Sequence, residues 1–330
     1  MIVIIIFVLL IISYMACNFL YKRTNDYKNR FVTIRDYEQG VPKNIKIAAF
    51  GSTYGKYAFN SLKDYRFNSF NFCLEAEPLQ CDLKILKKYS SNLAPGCLVF
   101  INLAACVTCC KEEEVVVLNS NNYYKLLNFN DLPITLKRNL RRWINYLLPI
   151  GIFNIKRFAR LLIDKELVMD VTERHPVSVS EKAAIQNMQN MANGWINMFH
   201  LKDLKSIDIP NEIQTRVKLN EEVLTEIIDY CISNGWKPIV VIPPMSSELN
   251  NYFSDEFYQT VLINCINKSI LNKDVIFCNF LNNKEFNENW ILYCDGGFRL
   301  NKYGSRKFIR ELLYQINNKG IIANNSTLRV

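Results

Sequence analysis

The sequence predicts an α/β fold in which a doubly wound, parallel, five-stranded sheet of the flavodoxin-like kind carries helices on its faces. Five short apolar runs, each bounded by turn residues, have the length and continuity of buried parallel strands. They are residues 45–52, 67–74, 97–105, 237–245 and 274–281. Segments with a helical spacing of apolar residues lie between them, at 81–93, 220–235 and 257–270. This alternation favours right-handed crossovers between parallel strands, and five strands fit the flavodoxin-like layout.

The N-terminus begins with a long apolar segment. Residues 2–20 contain no charged side chain. As a helix they would extend roughly 28 Å, close to the thickness of the hydrocarbon core of a bilayer. A cleaved signal peptide would have a basic region and a shorter apolar run, so we predict a transmembrane anchor at residues 1–21. Cys17, in the sequence YMAC, leaves lipidation as an alternative, although Tyr14 stands where a small aliphatic residue is expected.

The segment after the anchor is polar, and we interpret residues 22–43 as a juxtamembrane linker in a single-pass protein of the cell membrane. Eleven cysteines, an odd number without a framework spacing, fit a reducing compartment better than a disulfide scaffold. By the positive-inside rule, the basic residues after the span would keep the following domain on the cytoplasmic side. These residues are Lys22, Arg23, Lys28 and Arg30.

One large domain is predicted over residues 44–330, with a helical insertion at about 115–215 that interrupts the strand–helix alternation. Within the insertion, residues 135–163 have a helical pattern that is basic on one side. This basic side suits either contact with anionic headgroups or an anionic glycan, or the solvated face of a cap helix. Its members are Lys137, Arg138, Arg141, Arg142, Lys156, Arg157 and Arg160. The net charge of +9 is moderate and interleaved with acidic residues, so nucleic acid is not predicted as a partner.

A Gly-Ser pair, Gly51 and Ser52, stands at the end of the first predicted strand. In open α/β sheets ligands bind at this edge, because strand ends and helix N-termini converge there. Ser52 would expose its hydroxyl beside backbone N–H groups that can stabilise an oxyanion. The alternative is that Ser52 is an ordinary N-cap of the helix that follows.

The order of five segments resembles that of the SGNH (GDSL-type) hydrolases, and more narrowly that of membrane-anchored members associated with bacterial surface polysaccharides. The segments are AAFGSTYGKYAF (48–59), NFCLEAEPLQCDLKILKKY (71–89), PGCLVFINLAA (95–105), KPIVVIPPM (237–245) and DGGFRLNKYGSRKF (295–308). The resemblance covers about residues 40–110 and 220–315. It implies that Ser52 is the nucleophile, that Asp295 holds the base, and that the cleft takes acylated or anionic glycans.

The sequence departs from the family pattern at the base. Phe298 stands three residues after Asp295, and Arg299 precedes Leu300-Asn301 where the family has histidine. Neither side chain can take a proton from a serine at neutral pH. Tyr54 replaces the histidine of the first turn, the second oxyanion glycine is not evident, and Asn102 stands too early, within the predicted third strand, to match the family asparagine.

Two histidines are present in the whole chain, and both lie in the insertion. His175 would need the cap to carry it over the strand ends before it could act as the base, and a surface loop before Pro176 is the alternative. His200, between apolar neighbours, is predicted to pack. Arg299 would favour a bound carboxylate, phosphate or anionic sugar, or else form a structural ion pair with Asp295.

Two functions follow from these residues. The first is a degenerate SGNH hydrolase-like protein of surface-polysaccharide metabolism, in which Gly51, Arg299 and Asn301 bind a ligand without turnover. The second is an active serine esterase or O-acyltransferase that uses Ser52, Asp295 and an unidentified base.

We expect no cofactor. The CVTCC cluster at 106–110 has no second Cys or His pair at zinc spacing, so no metal site is predicted. The resemblance to surface-polysaccharide proteins favours a domain on the outer side of the membrane, whereas the basic residues after the span favour the cytoplasmic side.

Overall fold

The computed structural model describes residues 1–151, 154–169, 180–206, 208–294 and 297–318. The five strands are β1 (Ile45–Gly51), β2 (Ser69–Asn71), β3 (Leu93–Asn102), β4 (Lys237–Ile242) and β5 (Ile276–Asn279). The helices up to β4 are α1 (Ile2–Tyr21), α2 (Asn25–Lys28), α3 (Arg35–Gln39), α4 (Thr53–Ala58), α5 (Leu79–Lys88), α6 (Ala105–Thr108), α7 (Glu112–Val115), α8 (Ser120–Leu126), α9 (Ile134–Arg138), α10 (Leu140–Leu147), α11 (Ile155–Ala159), α12 (Glu181–Met198) and α13 (Asn211–Ser233). Those after β4 are α14 (Ser247–Asn250), α15 (Asp255–Tyr258), α16 (Asn264–Ile270), α17 (Lys284–Asn287) and α18 (Lys302–Asn318).

The sheet is entirely parallel, with the strand order β2-β1-β3-β4-β5. This order confirms the predicted α/β class and the flavodoxin-like layout. The chain adds β2 on one side of β1 and then returns to add β3, β4 and β5 on the other side. The topological switch point therefore lies between β1 and β3. The register pairs Gly51 with Asn102, and both residues therefore end at the same edge.

Both faces of the sheet are covered, which explains why its strands read as continuous apolar runs. On one face, alternate residues such as Ile47, Phe100 and Val241 join a buried cluster with Phe308 and Leu312 of α18. The residues between them in β1, β3 and β4 are buried as well. Helices α5 and α13 contact β1 and β4 respectively. The core therefore sits in two layers around the central strands.

The predicted strands are confirmed in position but not in length. The edge strand β2 spans three residues of the predicted eight, because it pairs with β1 alone. Strand β3 starts four residues before the prediction, at Leu93, and ends at Asn102 rather than at residue 105.

The predicted helical stretch at 135–163 is broken into α9, α10 and α11. Asn139 leaves the helical conformation, with φ −89° and ψ 80°, and its side chain caps α10 by accepting from the Arg142 amide. Pro149 and Gly151 lie between α10 and α11, and Gly151 has a left-handed φ of 68°. The stretch is helical as predicted, but it forms three short helices rather than one continuous one.

The chain divides into two compact units: residues 1–40 with 116–171, and residues 41–115 with 172–330. The first unit joins α1 and the segment predicted as a linker to the first part of the predicted insertion. Asn122 donates to Thr33, and Lys125 forms an ion pair with Glu38. The second unit contains the sheet and the long helices α12, α13 and α18.

Helix α1 is, among the described residues, the one helix long and apolar enough to cross a membrane. This property rests on length and composition, and a signal sequence near the N-terminus would share it. Most of its side chains are exposed, from Ile2 through Leu20, with Asn18 and Tyr21 as buried exceptions.

Candidate functional site

The candidate site lies where β1 ends, at the switch point of the sheet. Gly51 is the last residue of β1 and has a φ of 137°, a conformation that favours glycine. A β-carbon added there would stand 2.7 Å from Asn102 Cβ. The site therefore requires a glycine at this position for two reasons, the backbone angle and the close approach of β3.

Ser52 follows directly and stands at the N-cap position of α4, yet its side chain does not cap that helix. Its Oγ instead accepts a hydrogen bond from the Glu77 amide at 3.1 Å. The neighbouring Thr53 Oγ1 accepts from the Ala76 amide at 3.0 Å. The two hydroxyls thus hold the turn after β2 against the turn after β1. The alternative that the Ser52 side chain caps α4 is therefore not supported by the structure.

Beneath this turn lies a pair of buried carboxyl groups, Glu77 and Asp82. The Gly51 amide donates to Asp82 Oδ1 at 2.8 Å, and the Leu74 amide donates to Glu77 Oε2 at 2.9 Å. Glu77 Oε1 and Asp82 Oδ2 are the two oxygens left over, and neither has a hydrogen-bond partner among the described residues. A hydrogen bond between these side chains requires one carboxyl to be protonated, because two carboxylates cannot donate to each other.

Burial favours the protonated form of both carboxyl groups. Burial, followed by the negative charge of Asp82, raises the pKa of Glu77 well above its usual value. Burial also raises the pKa of Asp82, against the Gly51 amide and Glu77, which favour its charged form. The negative charge of one buried carboxylate disfavours ionisation of the other. The pair therefore favours one neutral and one ionised carboxyl group. Through Asp82 it links α5 to the end of β1.

Asn102 ends β3 beside Gly51 and is buried. Its Nδ2 donates to the Phe50 carbonyl at 2.9 Å, while its Oδ1 has no hydrogen-bond partner among the described residues. Asn102 was predicted to lie within the third strand, and it is the last residue of β3, three residues before the predicted end of the strand. Its amide lies at the same sheet edge as the Ser52 turn.

An aromatic contact lies beside the Ser52 turn, between α4 and the segment that precedes α18. The rings of Tyr54 and Phe298 pack with their centroids 4.4 Å apart. Trp195 of α12 packs on Phe298 from another side, at 6.0 Å. Phe298 is thereby buried between α4 and α12. This is an apolar environment, and neither ring is a proton acceptor of the kind a serine nucleophile needs.

Arg299 is brought to the same neighbourhood. Its guanidinium carbon lies 5.5 Å from the ring centroids of both Tyr57 and Phe298. Such distances are those of cation–π contacts. Glu75 accepts from the Tyr57 hydroxyl at 3.2 Å and lies 3.7 Å from Lys56 Nζ. The wall of the site beside α4 therefore contains charges of both signs.

Asn301, predicted to bind ligand, serves the start of α18. Its Oδ1 accepts from the amides of Tyr303 and Gly304, both at 3.0 Å, and its Nδ2 donates to the Ile291 carbonyl. These bonds use the polar groups of the side chain inside the protein. The geometry gives Asn301 a capping role.

Other predicted residues fall elsewhere. Asp295 and His175 lie outside the described residues, so the ion pair of Arg299 with Asp295 and the role of His175 stay predictions. His200 follows α12 with a left-handed φ of 52°, and its side chain is exposed, which corrects the expectation that it packs.

The cysteine cluster of the sequence is buried beside the site. The Tyr54 hydroxyl lies 3.7 Å from Cys106 Sγ. Burial raises the pKa of Cys106 and Cys109, and it raises that of Cys110 to about 12. These thiols stay protonated at neutral pH and are poor nucleophiles. Within the described part of the chain no three His, Cys, Asp or Glu side chains form a group that could hold a metal ion.

Sequence reasoning missed Glu77 and Asp82. A signal for Asp82 exists, since it shares the buried side of α5 with Leu79, Leu83 and Leu86. A carboxylate on an apolar helix face needs a partner.

No protein-family model and no curated protein matches the sequence. Any family assignment therefore depends on the order of motifs and on the geometry of the site.

Proposed function

We propose that the protein is a membrane-anchored, SGNH hydrolase-like component of cell-surface polysaccharide metabolism that binds an acylated or anionic glycan and has lost esterase turnover. The parallel sheet in the order 2-1-3-4-5 supports the fold part of this proposal. So does the position of Ser52, immediately after β1 and at the switch point, where ligands bind in open α/β sheets. Helix α1, long and apolar enough to span a membrane, supports single-pass anchoring.

One observation carries the loss of turnover: the packing of Phe298 on Tyr54 at 4.4 Å. Tyr54 stands where the family pattern has the histidine of the first turn, and Phe298 stands at the family's spacing from Asp295, while Arg299 precedes Leu300-Asn301. The contact between the two rings fills this region with apolar groups. The hydrogen bond recorded for Ser52 Oγ is one that it accepts, from the Glu77 amide. Among the described residues no imidazole contacts it. A serine hydroxyl without a base loses several orders of magnitude in rate.

Retained binding is supported by Arg299. Its guanidinium lies near two aromatic rings, and a guanidinium is a charged, planar donor of the kind that binds carboxylates, phosphates and anionic sugars. The same group cannot act as a base. Arg299 thus fits a site that holds an anionic ligand better than a site that transfers a proton.

The full chain in detergent micelles, treated with a fluorophosphonate probe, tests the proposal. Such probes react with activated serines and need no knowledge of the substrate. We expect no labelling of wild type above a Ser52→Ala control. Phe298→His, compared with Phe298→Leu, places an imidazole where the family pattern has one, and labelling gained in Phe298→His and lost on adding Ser52→Ala would support the proposed origin of the site.

Labelling of wild type that disappears in Ser52→Ala would overturn the loss of turnover. The active esterase or O-acyltransferase would then be the better assignment, with His175 as the next residue to replace.

A further inference from the structure

The first compact unit contains a cavity of about 430 Å³ that is lined by basic and amide side chains. Three guanidinium groups and three side-chain amides line it, and the described lining includes no carboxylate. They belong to Arg30, Arg142, Arg157, Asn121, Asn145 and Asn154. A site with this lining suits a compact anion that accepts several hydrogen bonds.

Two of the arginines are fixed by the backbone. Arg142 donates through Nη1 to the Val117 carbonyl at 3.0 Å and to Ser120 Oγ at 3.3 Å. Arg157 donates through Nη1 to the Pro149 carbonyl. These bonds orient the guanidinium groups before any ligand arrives, so less side-chain freedom is lost on binding.

Arg30 is the least satisfied of the three. Its Nη1 is buried and has no hydrogen-bond partner among the described residues, although its guanidinium stacks over the Tyr27 ring at 5.5 Å. Burial and the charge of Arg157 lower its pKa, while Asp26 acts the other way. Asp26 itself pairs with Lys165 and Arg160. An anion in the cavity would relieve both the repulsion and the unpaired donor.

The cavity lies at the end of the apolar helix α1. Ile150, which lines the cavity, donates its amide to Asn18 Oδ1 at 3.0 Å, and Asn18 is three residues before the end of α1. The lining is therefore tied to the last turn of the segment that is long enough to span a bilayer. In a membrane this turn reaches the headgroup layer.

An exposed apolar stripe on α10 belongs to the same unit. Leu140, Ile144 and Leu147 are 70%, 43% and 52% exposed and repeat at four and three residues, which puts them on one face. The rings of Trp143 and Tyr146 on the same helix pack against Tyr124 in tilted contacts, with centroids 4.3 Å and 5.3 Å away. Apolar residues on one face with Arg and aromatic residues beside them are typical of helices that lie in a membrane interface.

We propose that this cavity binds the phosphate of an anionic phospholipid headgroup, with the α10 stripe in the interfacial layer of the same leaflet. The lipid supplies what the cavity lacks, a charge-bearing phosphate with several acceptor oxygens. Its acyl chains continue the apolar surface of α1. This site shares only the membrane anchor with the proposed function and does not depend on Ser52.

Native mass spectrometry of the full chain in a neutral detergent tests the site, by titration with phosphatidylglycerol, with phosphatidylcholine and with inorganic phosphate. We expect phosphatidylglycerol to bind most tightly. Arg30→Gln and Arg142→Gln should each weaken it by about tenfold or more, the effect of one charge-assisted hydrogen bond. Arg141→Gln removes the same charge from an exposed neighbour on α10 and should change binding by less than about twofold.

Three results would overturn the proposal: equal affinity for the two lipids, equal losses in Arg141→Gln and Arg142→Gln, or inorganic phosphate binding as tightly as phosphatidylglycerol. The last result would assign the cavity to a soluble anion. Arg30→Gln separates a loss of binding from a folding defect. Arg30, unlike Arg142, is not hydrogen-bonded to the backbone of the described residues, so its replacement breaks no such bond.

Discussion

The buried pair of Glu77 and Asp82 makes the stability of the second unit depend on pH in a defined direction. Both carboxyls have a pKa raised by burial, and the ordinary value for Glu is 4.5. The folded protein therefore holds a proton that the unfolded chain releases as the pH rises above this value. The free energy of unfolding must then fall with rising pH, and the fall ends when the pH passes the folded pKa.

The size of this effect follows from one proton. A difference of one bound proton changes the free energy of unfolding by about 1.4 kcal/mol per pH unit. From about pH 5 to about pH 7 the loss from the pair can therefore reach about 3 kcal/mol. Glu77→Gln should remove most of this slope, because the amide can still accept from Leu74 and donates to Asp82 without a titrating proton.

The assay is urea unfolding of the full chain in detergent at several pH values, followed by the fluorescence of the buried Trp236. Subtraction of the Glu77→Gln slope from that of wild type cancels the titration of histidines and other carboxyls. Glu75→Gln is the matched control, since Glu75 is partly exposed and pairs with Lys56. It should keep the wild-type slope. Equal slopes in wild type and Glu77→Gln would refute the shared proton, as would a wild-type stability that rises across this window.

Two further predictions concern packing at and near the site, both measured as shifts in the same unfolding curve. Gly51→Ala adds a β-carbon at a φ of 137° and against Asn102, and should destabilise by about 3 kcal/mol or more, whereas Gly96→Ala, with a φ of 70° and open space around it, should lose only about 1 to 2 kcal/mol. Equal losses would show that the contact with β3 does not matter. Ser305→Ala removes a buried hydroxyl that donates to the Ala58 carbonyl and accepts from the Ser61 amide, both at 2.9 Å, and should cost about 2 to 4 kcal/mol. The exposed Ser233→Ala should stay within about 0.5 kcal/mol, and a similar loss at both serines would contradict the reasoning.

The sheet could be predicted from sequence because both of its faces are covered. Buried parallel strands must be apolar at every position, so β1, β3 and β4 stand out without any knowledge of their partners. The length of an edge strand could not be predicted in the same way. Strand β2 pairs on one side only, and the length of its pairing is set by where β1 and the following turn contact each other.

The candidate site was predictable in part. A Gly-Ser pair at a strand end indicates a ligand edge, and the structure has Gly51 and Ser52 there. The carboxyl dyad was not predictable in the same way, because Glu77 and Asp82 are read as solvated charges until the fold puts them together. Asn102 was predicted within the strand rather than at its end, since pairing with β1 decides where β3 ends.

The two compact units are interleaved along the chain, and this order governs how the protein is made. Residues 1–40 leave the ribosome first, yet the segment that completes their unit, residues 116–171, follows only after β1, β2 and β3 have been synthesised. The sheet in turn waits for β4, more than a hundred residues after β3, before its centre can close. A shortened form that begins after α1 would lose the contacts that this helix makes within the first unit, including the bond from the Ile150 amide to Asn18, while the contacts from Thr33 and Glu38 would remain. Expression without the apolar helix therefore removes part of a folding unit.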